Sequence, residues 1–111
     1  MLLSIKKKYK LKIIEDGSQS FGSSRHDNKS CSVFDLSVTS FFPTKPLGCY
    51  GDGGAIFTNN KNYYKKVKLI SRHGQKSNFN HISVGLNSRL DTIQASILLE
   101  KIKIFKKELE M

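Results

Sequence analysis

The sequence predicts an α/β fold, and three stretches support this prediction. Residues 11–15 form a compact apolar run with two adjacent isoleucines, which is typical of a strand buried between two layers of helices. Residues 33–42 alternate between apolar and polar side chains, which is the period of a strand. Residues 91–109 carry apolar side chains at helical spacing. Strands followed by helices in one short chain indicate a sheet that packs against helices.

Length and composition allow one domain at most. The chain has 111 residues, of which 25% are charged and 38% hydrophobic, and these values do not indicate disorder. The two cysteines, Cys31 and Cys49, are too few to predict a disulfide framework or a metal site. The apolar start is too short for a signal-peptide core or a membrane span. We therefore expect a cytoplasmic protein without a membrane segment or a metal ion.

The net charge of +10 is the unusual feature of the composition. The excess lysines lie near the two chain ends, at positions 6, 7, 8, 10, 12, 101, 103, 106 and 107. The sequence shows no zinc-finger spacing, no aromatic RNA-binding strand and no helix-turn-helix pattern. We therefore interpret the lysines as solvated helix faces, and we predict neither a nucleic-acid partner nor a membrane partner.

The first third of the chain predicts a short helix over residues 1–10, then the strand at 11–15 and a polar loop at 17–32. Asp16 directly follows the strand, at the end where ligands bind in open α/β sheets. Asp16 is thus a candidate ligand contact, although the residues alone favour a capping aspartate. Gln19 follows three residues later. The second strand should end near Ser40, whose hydroxyl could equally be an ordinary turn residue.

A stiff loop should follow Ser40. Lys45 lies between Pro43 and Pro46, and each proline fixes its own φ and disfavours helix at the preceding residue. Four glycines then allow the chain to turn back into a strand at residues 55–58; they are Gly48, Gly51, Gly53 and Gly54. Such rigidity suits a reacting lysine, whereas a solvated lysine does not need it.

The rest of the chain predicts two helices. In the first, Asn59 or Asn60 is the N-cap, and Gly74 stands where a C′ glycine would end the helix. Its apolar face should contain Tyr63, Tyr64, Val67 and Ile70, and His73 beside the stop is interpreted as structural. Residues 75–85 should form a loop.

In the second helix, Asp91 should be the N-cap, with Gln94 three residues later completing a capping box. Its apolar stripe predicts a packing face rather than a cofactor box; the stripe comprises Ile93, Ile97, Leu98, Ile102, Phe105 and Leu109.

Asp16, Ser40 and Lys45 together suit pyridoxal phosphate. The cofactor aldehyde needs a lysine amine, the pyridine nitrogen needs a carboxylate, and the phosphate needs hydroxyl or amide donors. The sequence contains no Walker loop, zincin motif, dinucleotide fingerprint or nucleophile elbow. Because aspartate, serine and lysine are common, their spacing alone supports only a hypothesis.

Five longer strings resemble the DegT/StrS-type sugar aminotransferases in both order and spacing. They are EDGSQSFG (15–22), SFFPTKPLG (40–48), GDGGA (51–55), HGQ (73–75) and GLNSRLD (85–91). The resemblance implies the central part of a fold-type I, PLP-dependent aminotransferase large domain, truncated at both ends. It also implies a homodimeric enzyme that transfers an amino group, commonly from glutamate, to a nucleotide-linked keto-sugar for glycan precursors.

The resemblance assigns roles to individual residues. Lys45 resembles the Schiff-base lysine, Asp16 the partner of the pyridinium nitrogen, and Gln19 a contact on the ring side. Ser40 resembles a phosphate donor, and Asn87 the residue that reaches the phosphate in the neighbouring subunit.

Arg89 has two open interpretations, an anionic-substrate contact or a structural salt bridge. The strings LDTIQA (90–95) and KIF (103–105) most resemble family members that act on UDP-linked 3-keto-glucuronate derivatives.

Family members are about three times as long as this chain, so the chain resembles their middle piece. The alternative to an active enzyme is a truncated, non-catalytic remnant or a regulatory relative. Retention of Lys45 favours the enzyme, because no structural need for lysine is evident there. For the isolated polypeptide we expect instability or aggregation, since apolar faces and strand edges would be exposed.

Overall fold

A computed structural model describes residues 2–110, and within that range the chain forms three helices and seven short strands. The helices are α1 (Leu2–Lys8), α2 (Lys61–Ile70) and α3 (Thr92–Glu108). The strands are β1 (Ile14–Asp16), β2 (Ser24–Arg25), β3 (Asn28–Lys29), β4 (Leu36–Ser40), β5 (Gly54–Phe57), β6 (Gln75–Ser77) and β7 (Asn80–His81). The prediction of an α/β chain is confirmed. Met1, at the start of the predicted first helix, lies outside the described residues.

The main sheet has the strand order β1-β4-β5. β1 runs parallel to β4, with Asp16 opposite Val38, whereas β5 runs antiparallel to β4, with Gly54 opposite Ser40. Because β1 and β4 are parallel, their carboxyl ends lie at the same edge of the sheet. The two strand-end residues that the sequence singled out, Asp16 and Ser40, therefore share that edge.

The first strand differs from the prediction. It covers residues 14–16 rather than 11–15, and Ile14 is 63% exposed. β1 is an edge strand that pairs only with β4 in the described part of the chain, so it is not buried between two layers. The second strand ends at Ser40 as predicted, and β5 begins one residue before the predicted position.

Both predicted loops contain small hairpins. β2 and β3 pair within residues 17–32, and β6 and β7 pair within residues 75–85. Strands of two or three residues lack the alternating apolar pattern on which sequence interpretation depends, so these hairpins were missed.

The core joins α3 to the loop that follows β4. Its buried residues are Phe41, Leu47, Cys49, Leu98 and Phe105. The Phe21 ring stacks on the Phe57 and Phe105 rings, with centroids 5.8 and 5.9 Å apart. The segment on either side of Lys45 is thus anchored in the best-packed part of the molecule, while Lys45 itself is half-buried.

α2 begins as predicted but ends earlier. The Asn60 side chain accepts hydrogen bonds from the Asn62 and Tyr63 amides. Ser71 is the C-cap residue, and Gly74 lies three residues further on with φ +68°. A Cβ at Gly74 would collide with the Ser83 carbonyl oxygen, so only glycine allows this close approach, and the Gly74 amide donates to the Leu69 carbonyl at the end of α2. Of the predicted face, Tyr64 and Ile70 are exposed.

α3 is the long helix predicted, and Asp91 is its N-cap residue as predicted, but the capping box and part of the packing face differ. Asp91 occupies the N-cap position without a side-chain cap hydrogen bond, so the predicted capping box is absent from this helix. Within α3 only Leu98 and Phe105 are buried, and Ile93 is 74% exposed. Ile97 packs against the same core, whereas Ile102 and Leu109 are exposed, so half of the predicted stripe forms the packing face. No helix in residues 2–110 has the length and apolarity needed to cross a bilayer.

Candidate active site

Asp16 occupies the carboxyl end of β1 with its side chain exposed. The Ser18 amide donates to Asp16 Oδ1 at 2.9 Å. Hydrogen bonds from the Ser18 hydroxyl and amide hold the pKa of Asp16 below its ordinary value of 3.8. Slight desolvation acts in the opposite direction, and the positive charge of Lys45 lowers the pKa further. Asp16 is therefore an anion at neutral pH, and Lys45 lies within the range of its electrostatic field.

The turn after Asp16 carries Gln19. The Gly17 amide donates to the Val38 carbonyl at 2.8 Å and so extends the pairing with β4, and the Ser20 amide donates to the Gly17 carbonyl at 3.1 Å. Gln19 lies in this turn with its side chain exposed. A Cβ at residue 17 would collide with Cys31 Sγ, so only glycine allows the turn to pack this closely.

Glu15 stabilises the region around the same turn through hydrogen bonds, and the sequence did not predict this role. One Glu15 carboxylate oxygen accepts the Cys31 amide at 2.8 Å, and the other accepts the Ser37 hydroxyl at 3.2 Å. The Ser37 side chain is fully buried. Glu15 thus ties the loop that carries Cys31 to β4. The only signal in the sequence was an acidic residue directly after an apolar run.

Lys45 lies in a closed loop between β4 and β5. The Lys45 amide donates to the Phe42 carbonyl at 2.9 Å, and the Phe42 amide donates to Ser40 Oγ at 3.2 Å. At the base of the loop, the Cys49 amide donates to the Phe41 carbonyl at 2.7 Å. These bonds within the loop restrict its conformation, which agrees with the stiffness that its prolines predict.

Gly48 closes the Lys45 loop. A Cβ at Gly48 would lie 2.6 Å from the Pro43 carbonyl oxygen and 2.8 Å from that of Phe42. Both contacts are with backbone atoms, so any side chain would force the two limbs of the loop apart. This close approach explains why glycine occupies position 48, three residues after Lys45.

Both cysteines are free, and both are buried. Burial raises the pKa of the Cys31 thiol. The Cys49 thiol donates to the Phe41 carbonyl at 3.0 Å and supports the base of the Lys45 loop. Within residues 2–110 no three His, Cys, Asp or Glu side chains converge in a way that could hold a metal ion.

Asn87 and Arg89 line a cleft of about 710 Å³ beside β5 and α2, which also reaches Val38 and Thr39 of β4. Asp16, Gln19, Ser40 and Lys45 are not among the residues that line this cleft. Arg89 Nε donates to Asn87 Oδ1 at 2.9 Å. Of the two ion pairs seen in the described chain, neither involves Arg89. The roles predicted for Asn87 and Arg89 stay predictions.

The residues at the sheet edge fit pyridoxal phosphate. An anionic carboxylate, a half-buried primary amine in a rigid loop and a strand-end hydroxyl are the groups that this cofactor requires of a protein. The fold brings them together because β1 and β4 are parallel and the lysine loop directly follows β4. This sheet edge therefore carries the types of group that PLP-dependent enzymes present to their cofactor.

Comparison with known families identifies the particular family. The model of the DegT/DnrJ/EryC1/StrS aminotransferase family matches residues 1–111, so this chain belongs to that family. Pyridoxal phosphate is the cofactor of its aminotransferases, in agreement with the sequence-based expectation.

Relatives and solved structures agree with the family assignment. The chain is 53% identical over 108 residues to the UDP-2-acetamido-2-deoxy-3-oxo-D-glucuronate aminotransferase of Pseudomonas aeruginosa, covering 97% of this chain and 30% of the relative. A DegT/DnrJ/EryC1/StrS aminotransferase structure from Brucella abortus matches with a TM-score of 0.94 and 42% identity, covering 98% of this chain and 30% of that one.

A Bacillus subtilis structure with the bound cofactor PMP matches with a TM-score of 0.82 and 36% identity, covering 94% of this chain and 24% of that one. The chain thus spans about 30% of the length of the first relatives it matches.

Proposed function

We propose that this chain is the central part of an aminotransferase large domain and carries the reacting lysine of a sugar aminotransferase. The observation that supports this most directly is the placement of Asp16, Ser40 and Lys45 at one sheet edge, with Lys45 close enough to lower the pKa of Asp16. The donor is glutamate and the acceptor is a nucleotide-linked keto-sugar.

Each residue has a role that follows from its chemistry. Pyridoxal phosphate, when bound, supplies an aldehyde and an electron-withdrawing ring. The Lys45 amine would hold the aldehyde and, once released, carry a proton to or from the substrate carbon. The Asp16 carboxylate would keep the ring nitrogen protonated, because an adjacent anion favours the charged form of a base. Ser40 would donate to the phosphate, and Gln19 would contact the ring.

Asn87 and Arg89 would act across a subunit interface. Both are exposed, and neither Asp16 nor Lys45 lines the cleft that contains them. We propose that Asn87 reaches the cofactor phosphate of a second subunit in a homodimer. Arg89, which is hydrogen-bonded to Asn87, would meet an anionic substrate group or orient Asn87.

The substrate class is proposed from the relative of 53% identity, which is named for a UDP-linked 3-oxo-glucuronate derivative. We propose a UDP-linked 3-keto-glucuronate derivative as the acceptor, used in cytoplasmic synthesis of glycan precursors.

The decisive test is whether Lys45 forms a borohydride-trappable bond with pyridoxal phosphate. The chain is incubated with the cofactor, reduced and digested, and the modified lysine is located by mass spectrometry. We expect the label on Lys45, and we expect Lys45→Ala to lose it together with the imine absorbance. Lys65→Ala, which removes an exposed lysine of α2, is the matched control and should retain both signals.

Labelling spread evenly over exposed lysines in the unchanged chain would contradict the proposal. It would instead support the alternative, a non-catalytic remnant or regulatory relative of the family.

A further inference from the structure

Two side chains of α3 contact the backbone of the Lys45 loop. The Lys101 ammonium donates to the Gly48 carbonyl at 2.6 Å, and Gln94 Oε1 accepts the Tyr50 amide at 2.8 Å. Positions 94 and 101 are two helical turns apart and therefore lie on the same face of α3. The two contacts are thus made by one helix face to two successive points of one loop.

The apolar core lies along the same helix face. Leu98, between the two polar positions, belongs to the buried cluster that also contains Leu47 and Cys49. Gly48 lies between those two residues and is itself buried. The polar contacts therefore flank a packed patch, so the loop cannot shift on α3 without disturbing both.

Lys101 differs from its neighbour Lys103. Lys103 pairs with Glu100 and is largely exposed, as expected of a solvated helix lysine. Lys101 is half-buried, and its ammonium lies 5.9 Å from the centre of the Tyr50 ring as well as on the Gly48 carbonyl. A charge-assisted bond to a buried carbonyl is stronger than a neutral one. The sequence placed this lysine among the solvated charges, and the structure corrects that placement.

Gly48 is also the residue that closes the Lys45 loop against Pro43 and Phe42. Holding the Gly48 carbonyl and the Tyr50 amide therefore fixes the limb of the loop that follows Lys45, while β4 fixes the preceding limb. We propose that Gln94 and Lys101 are positioning residues, through which α3 sets the place of the Lys45 amine. This proposal rests on the proposed function of Lys45.

Backbone hydrogen exchange of the unchanged 111-residue chain and its variants tests the proposal without any cofactor. Gln94→Leu removes the acceptor of the Tyr50 amide, whereas Gln94→Glu keeps an oxygen at the same position. We expect Gln94→Leu to speed exchange of the Tyr50 amide about fivefold or more, which corresponds to the loss of one hydrogen bond. Gln94→Glu should keep the exchange slow, and the α2 amides of residues 64–70 should be unchanged in both variants.

The lysine has a matched pair of variants. Lys101→Met removes the donor and keeps the aliphatic stem. Lys103→Met makes the same change at a largely exposed lysine of the same helix. We expect Lys101→Met to accelerate exchange in residues 45–51 and to lower the share of borohydride-trapped pyridoxal phosphate found on Lys45 relative to Lys65. Lys103→Met should alter neither, and Lys101→Arg, which keeps a charged donor, should restore both.

Three results would overturn the proposal. They are a Tyr50 amide unprotected in the unchanged chain, equal exchange in Gln94→Leu and Gln94→Glu, and equal effects of the two lysine variants. Failure of the proposed function is distinguishable, because trapping would then miss Lys45 in the unchanged chain while the exchange results would be unaffected.

Discussion

At the scale of single residues, a functional role depends on neighbours that the sequence does not place side by side. Asp16 is an ordinary aspartate after a short strand until the Ser18 hydrogen bonds and the Lys45 charge make it a stronger acid. The role of Lys45 also depends on its surroundings, because Gly48 packs against Pro43 and Phe42 and so closes the loop that carries Lys45. Each residue is therefore interpretable only together with its contacts.

The lowered pKa of Asp16 predicts a pH dependence. The folded state binds this proton more weakly than the unfolded chain, so the contribution of Asp16 to stability is present above its ordinary pKa of 3.8. It is lost as the pH falls through the lower pKa of the folded state. We expect the carboxyl carbon of Asp16, followed by NMR, to titrate below 3.8.

Ser18→Ala should raise the Asp16 titration midpoint, because it removes the hydroxyl that contributes most to the shift. Ser23→Ala is the control, since the Ser23 hydroxyl donates only to the Ser20 carbonyl among the described residues. A midpoint at or above 3.8 in the unchanged chain would show that the Ser18 turn does not form in solution.

At the scale of elements, the two longer helices begin in different ways although their sequences predict the same kind of cap. Asn60 accepts two amide hydrogen bonds at the start of α2. Asp91 makes no such bond at the start of α3, where Gln94 turns instead to the Tyr50 amide. The capping box predicted at Asp91 was wrong because a tertiary contact engages its second member.

This difference predicts unequal effects of the two cap substitutions. Asn60→Ala should lower the free energy of unfolding by about 1 kcal/mol, because two α2 amides lose their acceptor. Asp91→Ala should lower the free energy of unfolding by a smaller amount, since only the interaction of the Asp91 charge with the helix dipole is lost. Urea unfolding followed by circular dichroism at 222 nm measures both, and an equal or larger loss for Asp91→Ala would contradict the assignment.

At the scale of the whole molecule, the chain is a flat slab rather than a sphere. Its extents are 48 × 43 × 19 Å and its radius of gyration is 16.0 Å, whereas a compact chain of this length would have about 13 Å. It exposes 9001 Å², against about 6,200 Å² for a compact protein of its mass. Large apolar side chains such as Ile93 and Val84 lie on this additional surface.

The excess surface predicts that the isolated chain self-associates. We expect the apparent mass in light scattering to rise with concentration and a hydrophobic dye to bind under native conditions, because exposed apolar surface favours association. Ile93→Lys should reduce both effects without touching the core, and Lys65→Ala should leave them unchanged. A soluble monomer with a cooperative thermal transition would contradict this prediction.

Much of the candidate site could be predicted because it depends on local chemistry. The strand end at Ser40, the stiff loop around Lys45 and the Asn60 cap each follow from a few adjacent residues, whose prolines, glycines and side-chain acceptors act over one or two turns of chain. The family resemblance was confirmed for the same reason, since its motifs are contiguous strings.

The sequence by itself determined the family and the α/β class, and it predicted the reacting groups, because these depend on residue type and local spacing. Only the tertiary structure decided which residues support them. Glu15 beneath the Asp16 turn, and Gln94 and Lys101 against the Lys45 loop, act across 22, 44 and 53 positions of chain in their hydrogen bonds. Such pairs come into contact only after the sheet and α3 have packed, so neither hydrophobic periodicity nor motif spacing predicts them.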